Sequence, residues 1–244
     1  MKAFPKQYIV AHRGASGLVP HENTLEAFQK AIDVGADCIE LDVRKTKDQQ
    51  IIVIHDDHLL EAVVKETNYA DLLAISNGLG YHLPLLSEAL KLVKGKILVD
   101  IEIKEAGYEE EIVDLIHQYL SNDEFMIRSF EDQSVLAVKK YDPQIITALL
   151  LGKDKPKHVV LTRLSELFPG FRLRRCRADY VSPHYRLLRF GFIKRMKWLK
   201  KAVSVWTLND ENLIRKYLKM GVDSLVTDYP NLGLKLRDEL SKKG

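Results

Sequence analysis

The run Asp37-Cys38-Ile39-Glu40-Leu41-Asp42-Val43, followed after Gln50 by Ile51-Ile52-Val53-Ile54-His55, decides the fold. Both pieces are short apolar runs of strand character. The connection from Arg44 to Gln50 is too short for a crossover helix, so the second piece returns antiparallel beside the first as a hairpin. A turn near Lys47-Asp48 sets a register with His55 opposite Asp42. On either side of this hairpin the pattern changes. Strand-like runs at 8–11, 97–103, 125–129, 145–150, 179–182, 203–208 and 224–227 alternate with helical candidates at 24–34, 87–93, 109–120, 132–140 and 211–220. Thr24 opens the first of these helices and Gly35 closes it. Strands that alternate with helices of this length make parallel βαβ units. Nine runs less one returning arm leave the eight strands of a closed barrel. The expected fold is therefore α/β, a (β/α)8 TIM barrel with a β-hairpin extension after the second strand, forming one domain over residues 1–244. A doubly wound open sheet is the alternative. It wants a phosphate loop of the form G-x-G-x-x-G after the first strand, and Gly14-Ala15-Ser16-Gly17 is not one.

Composition agrees. With 244 residues, 46% hydrophobic and 29% charged, the chain reads as an ordinary globular protein. A chain of this length buries roughly 70% or more of its unfolded surface, so no disulfide or metal staple is required. Disordered, collagen-like and disulfide-scaffold classes are excluded. Thirty-seven basic residues against 34 acids give a net charge of +3, too weak a bias to indicate nucleic acid. Cys38 and Cys176 read as lone buried thiols, with a single bridge as the alternative. The N-terminus shows no signal-peptide pattern, and the longest uncharged stretch, from Leu72 to Ser87, is broken by two glycines, an asparagine, a histidine and a proline. The expected location is cytoplasmic.

Carboxylates and histidines gather at strand ends, where a barrel builds its active site. His12-Arg13-Gly14 ends the first strand. Glu40 and Asp42, two apart on the second, project from one face. His55 ends the returning arm, and Glu102 and Lys104 end the strand at 97–103. Three carboxylates from two strands make a hard oxygen site for Mg²⁺ or Ca²⁺. Two histidines beside them suit a general acid and a general base. Arg13 and Lys104 supply fixed positive charge for a phosphate. Each residue alone has a plainer reading: Glu102 paired with Lys104 or Arg13, Asp56 and Asp57 capping a loop, and His58, His82, His117, His158 and His184 as structural. It is the convergence of five chemical groups at one rim that points to phosphate ester cleavage.

The chain resembles the glycerophosphodiester phosphodiesterase family. The resemblance is carried by His12-Arg13-Gly14, Pro20-His21-Glu22-Asn23-Thr24, Glu40-Leu41-Asp42-Val43 and His55-Asp56. Farther on, Ile101-Glu102-Ile103-Lys104, Ser129-Phe130, Val205-Trp206-Thr207-Leu208-Asn209, Gly221-Val222-Asp223 and Thr227-Asp228-Tyr229-Pro230 continue it in order. It implies a phospholipase-C-like phosphodiesterase barrel, a divalent ion held by Glu40, Asp42 and Glu102, and His12 and His55 as the acid-base pair. It also places Arg13 and Lys104 on the phosphate and implies release of glycerol 3-phosphate and an alcohol, with a cyclic phosphate if a glycerol hydroxyl attacks first. Glu22 matches too, either near the metal or holding Arg13. Trp206 reads either as a surface for glycerol or the leaving group, or as barrel filler; Asn209 and Asp228 read equally well as helix caps. Two departures bear on the leaving group: no arginine follows His55-Asp56, and the segment to Leu86 is short where many members carry a specificity insertion.

From Arg172 to Lys201 there are eleven Lys or Arg and one acid, Asp179. Leu188, Phe192, Met196 and Leu199 recur near helical spacing within it. This reads as an outer helix with a solvated basic face. The alternative is a surface resting on anionic lipid, which exposed Phe190 or Trp198 would support. Other expectations thus stand beside soluble glycerophosphodiester hydrolysis: a lysophospholipase D-type activity at membrane surfaces, and a catalytically silent barrel that binds phosphorylated ligands.

Overall fold

Eight parallel strands close into a barrel in the computed structural model, which describes residues 7–153 and 158–242. The strands in chain order are β1 (Tyr8–Ala11), β2 (Cys38–Lys45), β3 (Ile51–Val53), β4 (His58–Leu59), β5 (Ala62–Val63), β6 (Leu98–Ile103), β7 (Phe125–Ser129), β8 (Ile146–Leu151), β9 (Tyr180–Pro183), β10 (Ala202–Val205) and β11 (Ser224–Thr227). β1, β2 and β6 to β11 form the barrel, and β1 closes it by pairing with both β11 and β2. β3 is the returning arm, antiparallel to β2, and β4 with β5 forms a small hairpin above it. The helices are α1 (Leu25–Asp33), α2 (Tyr69–Gly78), α3 (Leu86–Val93), α4 (Glu109–His117), α5 (Asp132–Tyr141), α6 (Val159–Leu167), α7 (Gly170–Cys176), α8 (Phe192–Trp198), α9 (Glu211–Lys219) and α10 (Pro230–Ser241).

The strands are buried on both faces, which is why they read as short apolar runs rather than alternating ones. On β2 and β6, Ile39, Leu41, Val43, Val99, Ile101 and Ile103 face outward and pack with Phe28, Leu90, Ile112 and Ile116 of the helices. Tyr8, Val10, Cys38, Met126, Ile146, Ala148 and Val226 fill the barrel interior instead. What remains on the inward face of β2 and β6 is polar: Glu40, Asp42, Asp100 and Glu102, all buried. Thr24 caps α1, its hydroxyl accepting the Ala27 N–H at 3.1 Å.

Three expectations need correction or limits. The hairpin register is one residue away from the one expected: Val43 faces Val53, and the Asp42 carbonyl accepts the Ile54 N–H at 3.0 Å. The turn is the reason, since Thr46 pairs with Gln50 across it and shifts the register. Asp42 therefore stands opposite Ile54, and His55 reaches the site from the loop beyond the arm. Helix α2, which the run lengths do not signal, overlaps the start of the uncharged stretch at Leu72, and its apolar residues pack under the β3 arm. The expected strand at 203–208 stops at Val205, leaving Trp206 to Asn209 as a loop on the rim. The opening residues 1–6 lie outside the described ones. Cys38 and Cys176 are both free and buried.

Candidate active site

The turn after β1 begins the site. Arg13 takes φ +52° and Gly14 φ +81°; at a non-glycine residue this left-handed geometry costs about 1 kcal/mol. A Cβ on Gly14 would lie 2.7 Å from the Ala27 backbone, so the close approach of α1 requires glycine there. The turn aims the Arg13 N–H at Glu40 Oε2, 2.9 Å away, and the Asn23 N–H at the Arg13 carbonyl, also at 2.9 Å.

Parallel pairing of β2 and β6 sets Asp42 beside Glu102. With Glu40 they bring three carboxylate oxygens within 4.8 Å of one another. Lys104 Nζ lies 2.7 Å from Asp42 and 2.6 Å from Glu102. Asn23 donates to Asp42 at 2.8 Å, and Arg13 Nε stands 3.3 Å from the same carboxylate. Burial alone would raise Asp42, but the charges of Lys104 and Arg13 outweigh it and hold this carboxyl well below its ordinary range. Glu102 goes the other way. Burial, reinforced by the charges of Asp42 and Glu40, pushes it up to about 7 despite Lys104. This crowding of buried negative charge, with hard oxygen donors only, fits a divalent cation of the Mg²⁺ or Ca²⁺ kind.

The two histidines are braced alike. His12 Nδ1 donates to Asp228 Oδ1 and His55 Nδ1 to Asp56 Oδ1, each at 2.6 Å. The bond fixes the tautomer and leaves Nε2 to exchange a proton. Their surroundings push them apart. Burial depresses His12, but the Asp228 hydrogen bond and the Glu40 charge override it and raise its pKa. At His55, burial and the Lys104 charge prevail and lower it.

His12, Arg13, Glu40, His55, Glu102, Lys104 and Trp206 line one cavity of about 330 Å³ at the carboxyl ends of the strands. Asp42 stands just behind this lining, in contact with Lys104 and Arg13. Glu22 stands outside this wall, bound to Arg13 Nη1 at 2.6 Å.

Residues 12–232 match the glycerophosphoryl diester phosphodiesterase family. The chain belongs to that family. It is accordingly a phosphoric diester hydrolase of the glycerophosphodiester class. The Bacillus subtilis protein YhdW is 36% identical, the match covering 93% of this chain and 97% of that protein. The fold is shared with a glycerophosphodiester phosphodiesterase from Parabacteroides distasonis, at TM-score 0.82, 22% identity and coverage of 98% and 100% of the two chains. It is also shared with an Oleispira antarctica phosphodiesterase solved with its product sn-glycerol-3-phosphate, at TM-score 0.80, 23% identity and coverage of 96% and 97%.

Around the glycerophosphodiester phosphodiesterase cavity stand residues whose roles the sequence leaves open or does not signal. Asp228 and Asn209 do not cap helices. Asp210 caps α9, while Asp228 holds His12 and accepts from Ser16 and Asn209. Trp206 Nε1 donates to the Ser182 carbonyl at 2.8 Å, and its ring meets His184 and Phe130 edge-on on the cavity wall. Arg44 donates to the His55 carbonyl at 2.9 Å and pairs with Glu105. Arg128, buried beneath the carboxylates, is paired with Asp100 and lines the cavity floor. A lone arginine inside an apolar strand carries no sequence signal of that role; only the register of β6 and β7 reveals it. Among the other histidines, His58, His82 and His117 pair with Asp57, Glu88 and Asp142 away from the cavity, as expected.

Proposed function

We propose that this chain, as one barrel domain, hydrolyses glycerophosphodiesters to glycerol 3-phosphate and an alcohol, using a divalent cation held by Glu40, Asp42 and Glu102 and the pair His12 and His55. One observation carries the reading: three buried carboxylates converge beside a cavity of about 330 Å³ that is lined by two histidines, each braced by an aspartate. A bound divalent cation would polarise a phosphoryl oxygen and stabilise the charge that develops on the attacking oxygen.

The protein's own groups account for the proton movements. His55, whose neutral form is favoured by burial and the Lys104 charge, accepts the proton of a glycerol hydroxyl at Nε2 as that oxygen bonds to phosphorus. The bond to the alcohol oxygen breaks, and His12, whose raised pKa favours the protonated ring, delivers its Nε2 proton there. The product of this step is a cyclic phosphate. Water then adds to phosphorus, losing its proton to the now neutral His12, and His55 returns its proton to the departing glycerol oxygen. Both histidines end as they began. Arg13, tethered by Glu22, and Lys104, at the cavity floor, supply the positive charge that a phosphodiester requires. Trp206 and Phe130 offer an apolar wall to the glycerol carbons or the leaving group.

The deciding experiment is coupled release of glycerol 3-phosphate from glycerophosphocholine and glycerophosphoethanolamine, run with EDTA, Mg²⁺ and Ca²⁺ in parallel. Release that depends on the added cation supports the proposal. Release in EDTA at an undiminished rate removes the cation from it, and no release with either ion returns the silent-barrel reading.

A further inference from the structure

Helix α6 is inside out. Val160 and Leu161 are 72% and 70% exposed, Val159 and Leu164 are exposed as well, and its one buried side chain is Glu166 at 1%. Outer barrel helices normally turn their apolar stripe onto the strands. Here Leu167 reaches the core from the end of the helix, and the rest of the inward face is polar. Glu166 accepts the N–H groups of Gly152 and Lys153 at 2.8 and 3.1 Å and pairs with Arg163, which donates to the Lys153 carbonyl at 2.9 Å. Gly152 and Lys153 line the reaction cavity, so these bonds tie α6 to its mouth.

The apolar stripe does not end with the helix. Val160, Leu164 and Phe168 follow at four-residue spacing on one face. Phe168 and Phe171 then share a shallow groove with Met196, Leu199 and Trp198, the last 83% exposed. The Arg195 guanidinium stacks 4.4 Å over Phe168. Around this apolar band lies the cationic segment 172–201. Arg174 and Arg175 on α7 and Lys194 and Lys197 on α8 are exposed, and among the described residues none of the four is paired with a carboxylate. Among the described residues, Arg172 is the one cation of this segment that pairs with a carboxylate, that of Asp132.

An exposed apolar band beside unpaired cations has to meet a surface that accepts both. A second copy of this chain does not, because a twofold contact would set the same cations against one another. An anionic bilayer does: its acyl boundary accepts the apolar side chains and its headgroups the charges. We infer that α6 with Phe168, Phe171 and Trp198 seats on an anionic lipid surface, with the cations of α7 and α8 on the headgroups and the cavity mouth held close to the bilayer. This docking stands apart from the reaction proposed above.

The test incubates the full chain with vesicles of phosphatidylcholine, alone or mixed with phosphatidylglycerol, and reads co-sedimentation and tryptophan emission. The mixed vesicles sediment the protein, pure phosphatidylcholine does not, and added salt releases it. Emission shifts to the blue, and Trp198→Ser, which keeps Trp206, abolishes the shift. Arg174→Glu and Lys194→Glu each lower partitioning about fivefold or more. Leu161→Ser with Leu164→Ser lowers it at least as much, without changing hydrolysis of soluble glycerophosphocholine. Circular dichroism melting of each variant separates misfolding from lost docking. Failure of the wild type to sediment with anionic vesicles at low salt overturns the inference. So do equal binding by the folded variants and a dimer at sedimentation equilibrium that these substitutions break.

Discussion

Asp228 Oδ1 accepts a 2.6 Å hydrogen bond from His12 Nδ1, joining residues 216 positions apart in the chain and fixing one imidazole at the edge of the cavity. Asp228 is itself positioned by Ser16 and Asn209. Burial would raise its pKa, yet His12 and these two donors hold it below the ordinary carboxylate value. Asp228→Asn keeps the shape but removes the charge that raises His12. Turnover should fall about 10–10²-fold, part of the full contribution of a positioned acid. The limb of the pH–rate profile that reports His12 should move to lower pH. An unmoved limb would take Asp228 out of that role.

His12→Ala and His55→Ala should each lower turnover by about 10²–10⁴. Calorimetric titration with Mg²⁺ and Ca²⁺ should show cation affinity nearly as in the wild type, since neither ring belongs to the carboxylate cluster. Wild-type turnover in both variants would refute the acid-base assignment.

Glu40→Ala and Asp42→Ala should weaken cation binding, with part of the activity rescued by excess cation. Affinity equal to the wild type by calorimetry would move the cation elsewhere.

Glu102 titrates at about 7 in the fold against 4.5 as an ordinary glutamate. A group whose pKa is raised on folding favours the fold while protonated. That contribution is complete below about 4.5 and is lost as pH climbs through about 7. The cation-free protein should therefore lose melting temperature between these values, and Glu102→Gln should flatten the loss. Cation affinity should rise across the same window, because binding requires the carboxylate. A cation-free melting curve with the same slope in Glu102→Gln would contradict the assignment.

Arg128 and Asp100 form a buried ion pair inside the barrel. Asp100→Ala leaves the guanidinium buried without its partner and should cost about 3–5 kcal/mol of stability. Denaturant unfolding of the single variant and of Asp100→Leu with Arg128→Met checks this: the double variant should recover most of the loss. Equal losses in both would mean that packing rather than charge is at stake.

The short link from Arg44 to Gln50 sufficed to read the hairpin, and with it the count of eight barrel strands, because no helix can be built from so few residues. Alternation on β2 likewise puts Glu40 and Asp42 on one face from spacing alone. The hairpin register slipped by one because Thr46 and Gln50 pair across the turn, a contact that run lengths do not encode. α2 is not legible in the sequence because its apolar residues follow no clean helical stripe and pack against the arm above them.

By itself the sequence determined the strand order, the carboxylates that share a face, and the charge of the segment from Arg172 to Lys201, since these follow from residue type and spacing along the chain. Tertiary structure alone decided that Asp228 braces His12, that Arg128 lies under the carboxylates, and that α6 turns its apolar side outward. Each of these depends on groups distant in sequence brought together by closure of the barrel, or on a burial direction fixed by what the rest of the fold leaves uncovered.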